Sequence, residues 1–244
     1  MKRMKGKIRL PVLDERMLLI ASLVREGGVP ADIGTDHGYV PIYLVMSGIC
    51  PMAVASDVNS GPLGAARANA ARFGVDDRIT FCLSDGLSDM EPARLGVTDV
   101  LICGMGGELI ARIIDSSDYV RTPGVRLVLQ PMSSLYELRA YLAEAGFCIE
   151  QEKMCRSGGK IYTAVVCEYD GVRRERTEAE LELGRDVSEE ESDENLNLFL
   201  SRTAEKLKKQ IEGRRKGGID TSREEEILEE VRAIGRARGF SDVG

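Results

Sequence analysis

Five short apolar runs, each followed by a stretch of helical character, set the architecture of this 244-residue chain. They are Val29–Ile33, Met52–Ser56, Arg78–Leu83, Asp99–Cys103 and Arg126–Gln130. Runs that are apolar throughout, rather than alternating, read as strands covered on both faces. Such strands belong to parallel sheets, whose crossover connections are usually helices. The intervening helices fall from about Tyr39, after Asp57 (with Ser60 or Gly61 as cap and Pro62 in the first turn), and at about 107–115 and 133–145. Ahead of them, Leu13, Met17, Ile20, Ala21 and Val24 recur at helical spacing, which predicts an amphipathic opening helix over residues 12–25. Phe147–Met154 and Ile161–Tyr169, joined by the turn Arg156-Ser157-Gly158-Gly159, predict a closing β-hairpin. The expected fold is α/β: a Rossmann-like, doubly wound sheet with a terminal hairpin.

Beyond Asp170 the character changes. Glu178–Leu183 is a short helical pattern ending at Gly184. From Asp193 to Lys216, Leu196, Phe199, Leu200, Leu207 and Ile211 share one helix face, and Gly217 and Gly218 end the pattern. Thr221 or Ser222, with Glu224 or Glu225 three places on, offers a capping box to a last helix carrying Ile227, Leu228, Val231 and Ile234. Two amphipathic helices across a short glycine loop predict an antiparallel helical hairpin, coiled-coil-like in its packing. The expected division is residues 1–170 and 171–244.

Composition narrows the class. With 43% apolar and 30% charged residues, the chain is neither disordered nor collagenous nor a small disulfide scaffold. No apolar run approaches the roughly 20 residues that span a bilayer; the longest, Tyr39 to Cys50, contains Pro41 and Gly48. The basic start lacks a signal-length apolar stretch before Asp14, so the expectation is a cytoplasmic protein without a membrane partner. Six cysteines without a C-x-x-C pair read as reduced, buried side chains, and no metal site is expected. A monomer is the default expectation. The net charge of −7 argues against nucleic acid as a partner in bulk, yet Arg202 to Lys216 holds seven basic groups against Glu205 and Glu212. That stripe suits either a solvated helix face or a grip on phosphates.

In an open parallel sheet, ligands bind beyond the carboxyl ends of the strands, near the point where strand order reverses. After the first strand stands Asp32-Ile33-Gly34-Thr35-Asp36-His37-Gly38. Asp36 occupies the place of the middle glycine of a D-x-G-x-G-x-G loop, where a dinucleotide would set its pyrophosphate against a helix N-terminus. A carboxylate there repels phosphate and favours a donor carrying a sulfonium and an ammonium, as S-adenosylmethionine does. Asp57 ends the second strand, 25 residues after Asp32, at the spacing of a ribose-binding acid, although a helix cap reads equally there. In Ser84-Asp85-Gly86-Leu87, Asp85 could accept from an adenine amine while Gly86 admits the ring. Gly104-Met105-Gly106-Gly107 ends the fourth strand, as a close ligand approach or a tight turn, without the Asn/Asp-Pro-Pro-aromatic box of enzymes that methylate exocyclic amines. Gln130 faces the same crevice and could address a substrate base. His37, the one histidine, is expected to shape the cofactor loop through hydrogen bonds rather than to act as a base.

The runs ADIGTDHGYVP (31–41), SDVNSGP (56–62), SDGL (84–87), ICGMGGELI (102–110) and LVLQP (127–131) together resemble the bacterial tRNA adenine-N1 methyltransferase family TrmK, in order and spacing. RLPVLDERMLLIASLV is similar to the family's opening helix and GGKIYTAVVCEY to its last strand, so the resemblance covers roughly residues 8–170. It implies a class I, S-adenosylmethionine-dependent enzyme with a helical C-terminal domain, acting on N1 of the adenine at tRNA position 22. It further implies that Gly34, Asp36, Asp57, Asp85, Gly86 and Gly104 line the cofactor pocket, and that Met105 and Gly106 border both cofactor and target base. Met132 stands where some members have Asn, and Gly184-Arg185 where Gly-Pro is common.

The reaction so implied is an in-line displacement by adenine N1, helped chiefly by positioning and water exclusion. Asp36 is the candidate to stabilise the cationic product or accept a proton from the exocyclic amine. Arg202, Lys206 and Lys209, with the basic N-terminus, are the expected tRNA contacts. Three other readings share some of these features: a methyltransferase of a small molecule or protein, a nicotinamide oxidoreductase disfavoured by Asp36, and a non-catalytic interaction protein using the helical hairpin as a platform.

Overall fold

The computed structural model describes residues 9–184, 193–240 and 243. Seven strands form one mixed sheet: β1 (Pro30–Ile33), β2 (Ala53–Asp57), β3 (Ile79–Leu83), β4 (Asp99–Gly106), β5 (Arg126–Ser133), β6 (Phe147–Ser157) and β7 (Lys160–Tyr169). Their spatial order is β3-β2-β1-β4-β5-β7-β6. The first five are parallel, and β7 runs antiparallel against both β5 and β6. The order reverses between β1 and β4, so a crevice opens there at the carboxyl edge.

The apolar runs are buried on both faces because alternate residues serve different cores. Val100, Ile102, Leu127 and Leu129 pack with Ile110, Ile114, Leu138 and Leu142 of α5 (Gly107–Asp115) and α6 (Leu135–Ala145). Leu101 and Val128, one residue out of phase, pack with Ile20 and Ala21 of α1 (Glu15–Ser22) and with Val40 and Leu44 of α2 (Tyr39–Met46). A further cluster joins β2 and β3 to α2 and α3 (Ser60–Phe73). A four-residue helix, α4 (Pro92–Leu95), precedes β4.

After β7 the chain forms α7 (Glu178–Leu183), α8 (Asp193–Lys216) and α9 (Ser222–Ala237). Leu196, Leu200, Leu207 and Ile211 of α8 meet Ile227, Leu228 and Val231 of α9, and Met154 and Leu183 join the same cluster. The helical pair therefore shares its core with β6 and α7.

Several local expectations change. β4 and β5 extend to Gly106 and Ser133 through bulged pairing, Met105 with Pro131 and Gly106 with Ser133, so the Gly104 to Gly106 run is strand rather than loop. α6 consequently starts at Leu135 rather than 133. Asn59, rather than Ser60 or Gly61, caps α3, while Pro62 lies in its first turn as expected. Thr221 sits at the N-cap of α9, but its hydroxyl donates to the Glu225 carboxylate and no capping box forms. The capping box is at α7, where Glu180 N donates to Thr177 Oγ1 at 3.1 Å and Thr177 N to Glu180 Oε2 at 2.9 Å. All six cysteines are free, but only Cys50 and Cys167 are buried. Residues 1–8, which carry most of the basic start, and Arg185 of the Gly184-Arg185 junction lie outside the described residues.

One buried ion pair ties α7 to the sheet. Arg139 on α6 is 3% exposed and holds Glu152 of β6 through two bonds of 2.8 and 2.9 Å. Its Nη1 also donates to the carbonyls of Leu181 and Glu182 in the last turn of α7, at 2.9 and 2.8 Å, where the helix dipole favours a cation. Gly184 closes over this pair with φ at +91°, and a Cβ there would stand 2.2 Å from Glu152 Oε2. Removing one partner leaves the other charge buried and unpaired. Arg139→Ala is expected to lower unfolding free energy by about 3–5 kcal/mol in urea titration, and the apolar pair Arg139→Met with Glu152→Leu to recover most of it.

Candidate functional site

At the carboxyl edge, β1 turns sharply into α2. Gly34 adopts φ +78°, and its amide and that of Thr35 both donate to the Ser56 carbonyl of β2 at 2.8 Å. A Cβ on Gly34 would fall 2.1 Å from Met105 Cε, so the end of β4 lies directly over the β1 turn across the switch point. Two expected site residues, 71 positions apart, are thus brought into contact.

The expected carboxylates stand at the ends of three adjacent strands. Asp36 is exposed, and the His37 imidazole stands beside it, with Nε2 to Oδ2 at 3.4 Å. Asp57 is half-buried; its Oδ1 accepts from Asn59 N at 2.7 Å, fixing the turn into α3. Asp85 is exposed, in a loop braced by Ser84, whose amide donates to the Asp57 carbonyl at 3.0 Å and whose hydroxyl donates to the Gly86 carbonyl at 3.1 Å. Among the described residues no lysine or arginine pairs with Asp36, Asp57 or Asp85. Gly86 and Gly104 share the left-handed backbone of Gly34. His37 supports the loop: its carbonyl accepts from Asn69 Nδ2 at 3.0 Å, and its ring lies 5.7 Å from that of Tyr39.

Gln130 departs from expectation. It is fully buried, its Oε1 accepts from Arg16 Nη1 at 3.0 Å, and its Nε2 donates to the Pro131 carbonyl at 2.8 Å. An amide engaged at both ends is not free to read a base. It positions Arg16 instead.

Arg16 and Asp32 are the two groups that the sequence reading missed. Arg16 projects from α1 to the ends of β4 and β5. Its guanidinium lies 6.0 Å from the Tyr162 ring centre, and Nη1 would be 3.5 Å from a Cβ on Gly104. Asp32 is half-buried inside the end of β1. Burial pushes its carboxyl up to about 6 and nearby Asp57 adds to this, while the Thr35 hydroxyl and Arg16 pull the other way. Asp32's place just before Gly34 was a signal for it. Nothing local distinguished Arg16 from an ordinary surface position on an amphipathic helix.

Of the basic stripe, Arg202 and Lys206 line a groove beside the end of β5 and the start of β7; Lys209 is exposed outside that groove. Arg214, Arg215 and Lys216 are paired with Glu224, Glu225 and Glu212 at 3.4, 2.9 and 2.6 Å.

The site has the donor set for a cationic, adenosine-bearing cofactor. It presents carboxylates without cationic partners among the described residues, glycines held in the left-handed backbone at the strand ends, and the buried Ser56 hydroxyl, which lacks a hydrogen-bond partner. Sheet order and site together define a class I methyltransferase, and a family model described as a methyltransferase domain matches residues 13–165. The tRNA (adenine(22)-N(1))-methyltransferase of Bacillus subtilis is 32% identical over 168 residues, 66% of this chain and 69% of that protein. A Streptococcus pneumoniae protein solved in complex with S-adenosyl-L-methionine is 31% identical with a TM-score of 0.76, over 93% of this chain and all of that one. The crystal structure of the B. subtilis M1A22 tRNA methyltransferase TrmK matches at 25% identity and a TM-score of 0.75, over 97% of this chain and all of that one. The chain belongs to this methyltransferase family, in its TrmK branch. No helix among the described residues is long and apolar enough to cross a membrane.

The raised Asp32 carboxyl makes stability depend on pH. A folded value above the unfolded one means that the folded protein keeps a proton the unfolded chain releases first. This contribution is full below about pH 4 and is lost as pH rises through about 6. In urea titrations at a series of pH values, Asp32→Asn is expected to remove that decline, a difference on the order of 2–3 kcal/mol between pH 4 and 7.

Proposed function

We propose that this protein transfers a methyl group from S-adenosylmethionine to N1 of an adenine in tRNA, at position 22 as named for its relatives. The observation that carries the reading is the rim of carboxylates without cationic partners at a methyltransferase switch point. The B. subtilis tRNA (adenine(22)-N(1))-methyltransferase and the S-adenosyl-L-methionine complex of the S. pneumoniae neighbour support it.

Asp57 holds the ribose hydroxyls through the oxygen that Asn59 leaves free, and Asp85 accepts from the adenine amine, with Gly86 admitting the ring. Gly34 and Gly104 line the methionyl end, with His37 bracing the loop between β1 and α2. Arg16 pairs with the methionyl carboxylate, held in place by Gln130, and Asp32 and Asp36 face the cationic groups. Bound there, S-adenosylmethionine supplies an electrophilic methyl on a positively charged sulfur. Met105 and Gly106, at the bulged end of β4, position the target base. Neutral N1 already carries an exposed lone pair, so the protein needs no strong base, and orientation with exclusion of water carries the rate. Asp36 stabilises the positive charge that methylation leaves on the adenine, or accepts a proton from its exocyclic amine. N1 lies on the pairing edge, so the adenine must be freed from its partners first, at a cost of a few kcal/mol. Residues 171–244 serve as the tRNA-contacting unit, through the side of α8 bearing Arg202 and Lys206.

Incubation with labelled S-adenosylmethionine and unmodified tRNA, mapped by nucleotide, should place the label on N1 of one D-arm adenine, with Asp36→Ala strongly impaired. In calorimetry, Asp57→Ala should weaken cofactor binding by about tenfold or more, the loss of hydrogen bonds to a charged acceptor. Arg16→Ala should weaken binding of S-adenosylmethionine about as much, yet leave that of its decarboxylated analogue unchanged. Equal losses for both would remove Arg16 from the carboxylate.

A further inference from the structure

A groove of about 720 Å³ runs between the β5–α6 junction, the start of β7 and the flank of α8. One end is floored by Pro131, Met132 and Ser133. Two of these, Pro131 and Ser133, pair with Met105 and Gly106 of β4, so the groove continues directly from the crevice where the target base is positioned. Its size suits a nucleotide and its flanking phosphates rather than a folded arm.

The lining is basic and aromatic. Four cations, among them Lys160, Arg202 and Lys206, face two carboxylates, and Tyr162 and Phe199 are half-buried there. Lys160 is exposed at the start of β7. Arg202 Nη2 donates to the Gly159 carbonyl at 2.7 Å, a contact that fixes the guanidinium without neutralising it. Lys206 reaches Glu182 at 2.6 Å, and its side chain is still half exposed. The other flank of α8 differs. There Lys208, Arg215 and Lys216 face Glu225, Glu229 and Arg232 of α9, and Arg215 is already paired. Residues 202, 206 and 210 repeat at i, i+4 and share one side of the helix. The basic stripe of the sequence is therefore two surfaces, one open and continuous with the crevice, the other largely matched by acids.

We propose that this groove holds the single-stranded RNA segment on one side of the target adenine. Tyr162 and Phe199 stack against the neighbouring base, and Lys160, Arg202 and Lys206 hold its phosphates. The proposal rests on the reading of the site as a tRNA methyltransferase. Turning an adenine out about its backbone brings the adjoining phosphates and the face of the next base to the protein surface, and rings beside cations are what a sequence-tolerant single-strand site requires.

The test uses the full chain, unmodified tRNA and a D-arm RNA carrying 2-aminopurine next to the target adenine. Lys160→Ala should weaken tRNA binding about fivefold at 0.15 M salt and lower the salt slope by about one, the signature of one lost phosphate contact. Lys206→Gln should act in the same direction. Arg232→Ala, on the far flank, should change neither, and S-adenosylmethionine affinity should stay constant in all three. The 2-aminopurine signal should quench on binding to the wild type. If both groove variants bind tRNA like the wild type, or the probe stays bright in a complex that still methylates tRNA, the groove assignment is wrong while the function stands. If the wild type methylates no tRNA at all, the functional reading itself fails.

Discussion

Charge at one edge of the sheet governs this molecule. Three successive strands end in carboxylates, Asp36, Asp57 and Asp85, and the fold supplies no lysine or arginine to pair with them among the described residues. Next to them the Asp32 carboxyl is held above its ordinary range, by burial first and also by the charge of nearby Asp57. The cation the fold does bring in, Arg16, is held by Gln130 at the β4 side and pairs with none of the three carboxylates. A phosphate-bridged nucleotide meets repulsion there, and a sulfonium with an ammonium meets attraction.

The rest of the architecture sets what stands beside that edge. The bulged pairing of β4 and β5 carries both strands past the sheet proper, so Met105 meets Pro131 and Gly106 meets Ser133 at the mouth of the crevice. Arg139 then joins α6, β6 and α7 through one buried carboxylate and two helix carbonyls. Because Met154 and Leu183 lie in the same core as α8 and α9, that joint sets where the helical pair stands relative to the crevice. The groove beside α8 follows from this placement.

Most of the sheet was legible in the sequence because its strands are apolar on both faces, and only a doubly covered sheet accepts such runs in alternation with helices. The hairpin and the two C-terminal helices were legible for the same kind of reason, through periodicity. The bulged ends of β4 and β5 were not, since glycines suit a turn or a strand equally, and pairing across 26 residues decided the outcome. Arg16 was invisible because its partner Gln130 lies 114 residues away and only the closed sheet brings them together. The basic stripe was counted correctly but read as one surface; the helical repeat, with 202, 206 and 210 on one side and 208, 212 and 215 on the other, already contained the division.

A carboxylate edge of this kind should select a positively charged alkyl donor over a dinucleotide. Isothermal titration of the same protein preparation with S-adenosylmethionine and with NAD, at low and moderate salt, tests it directly. Saturable uptake of the sulfonium compound is expected, with no measurable heat from NAD at either salt. Tight NAD binding, with none of the sulfonium compound, would contradict it.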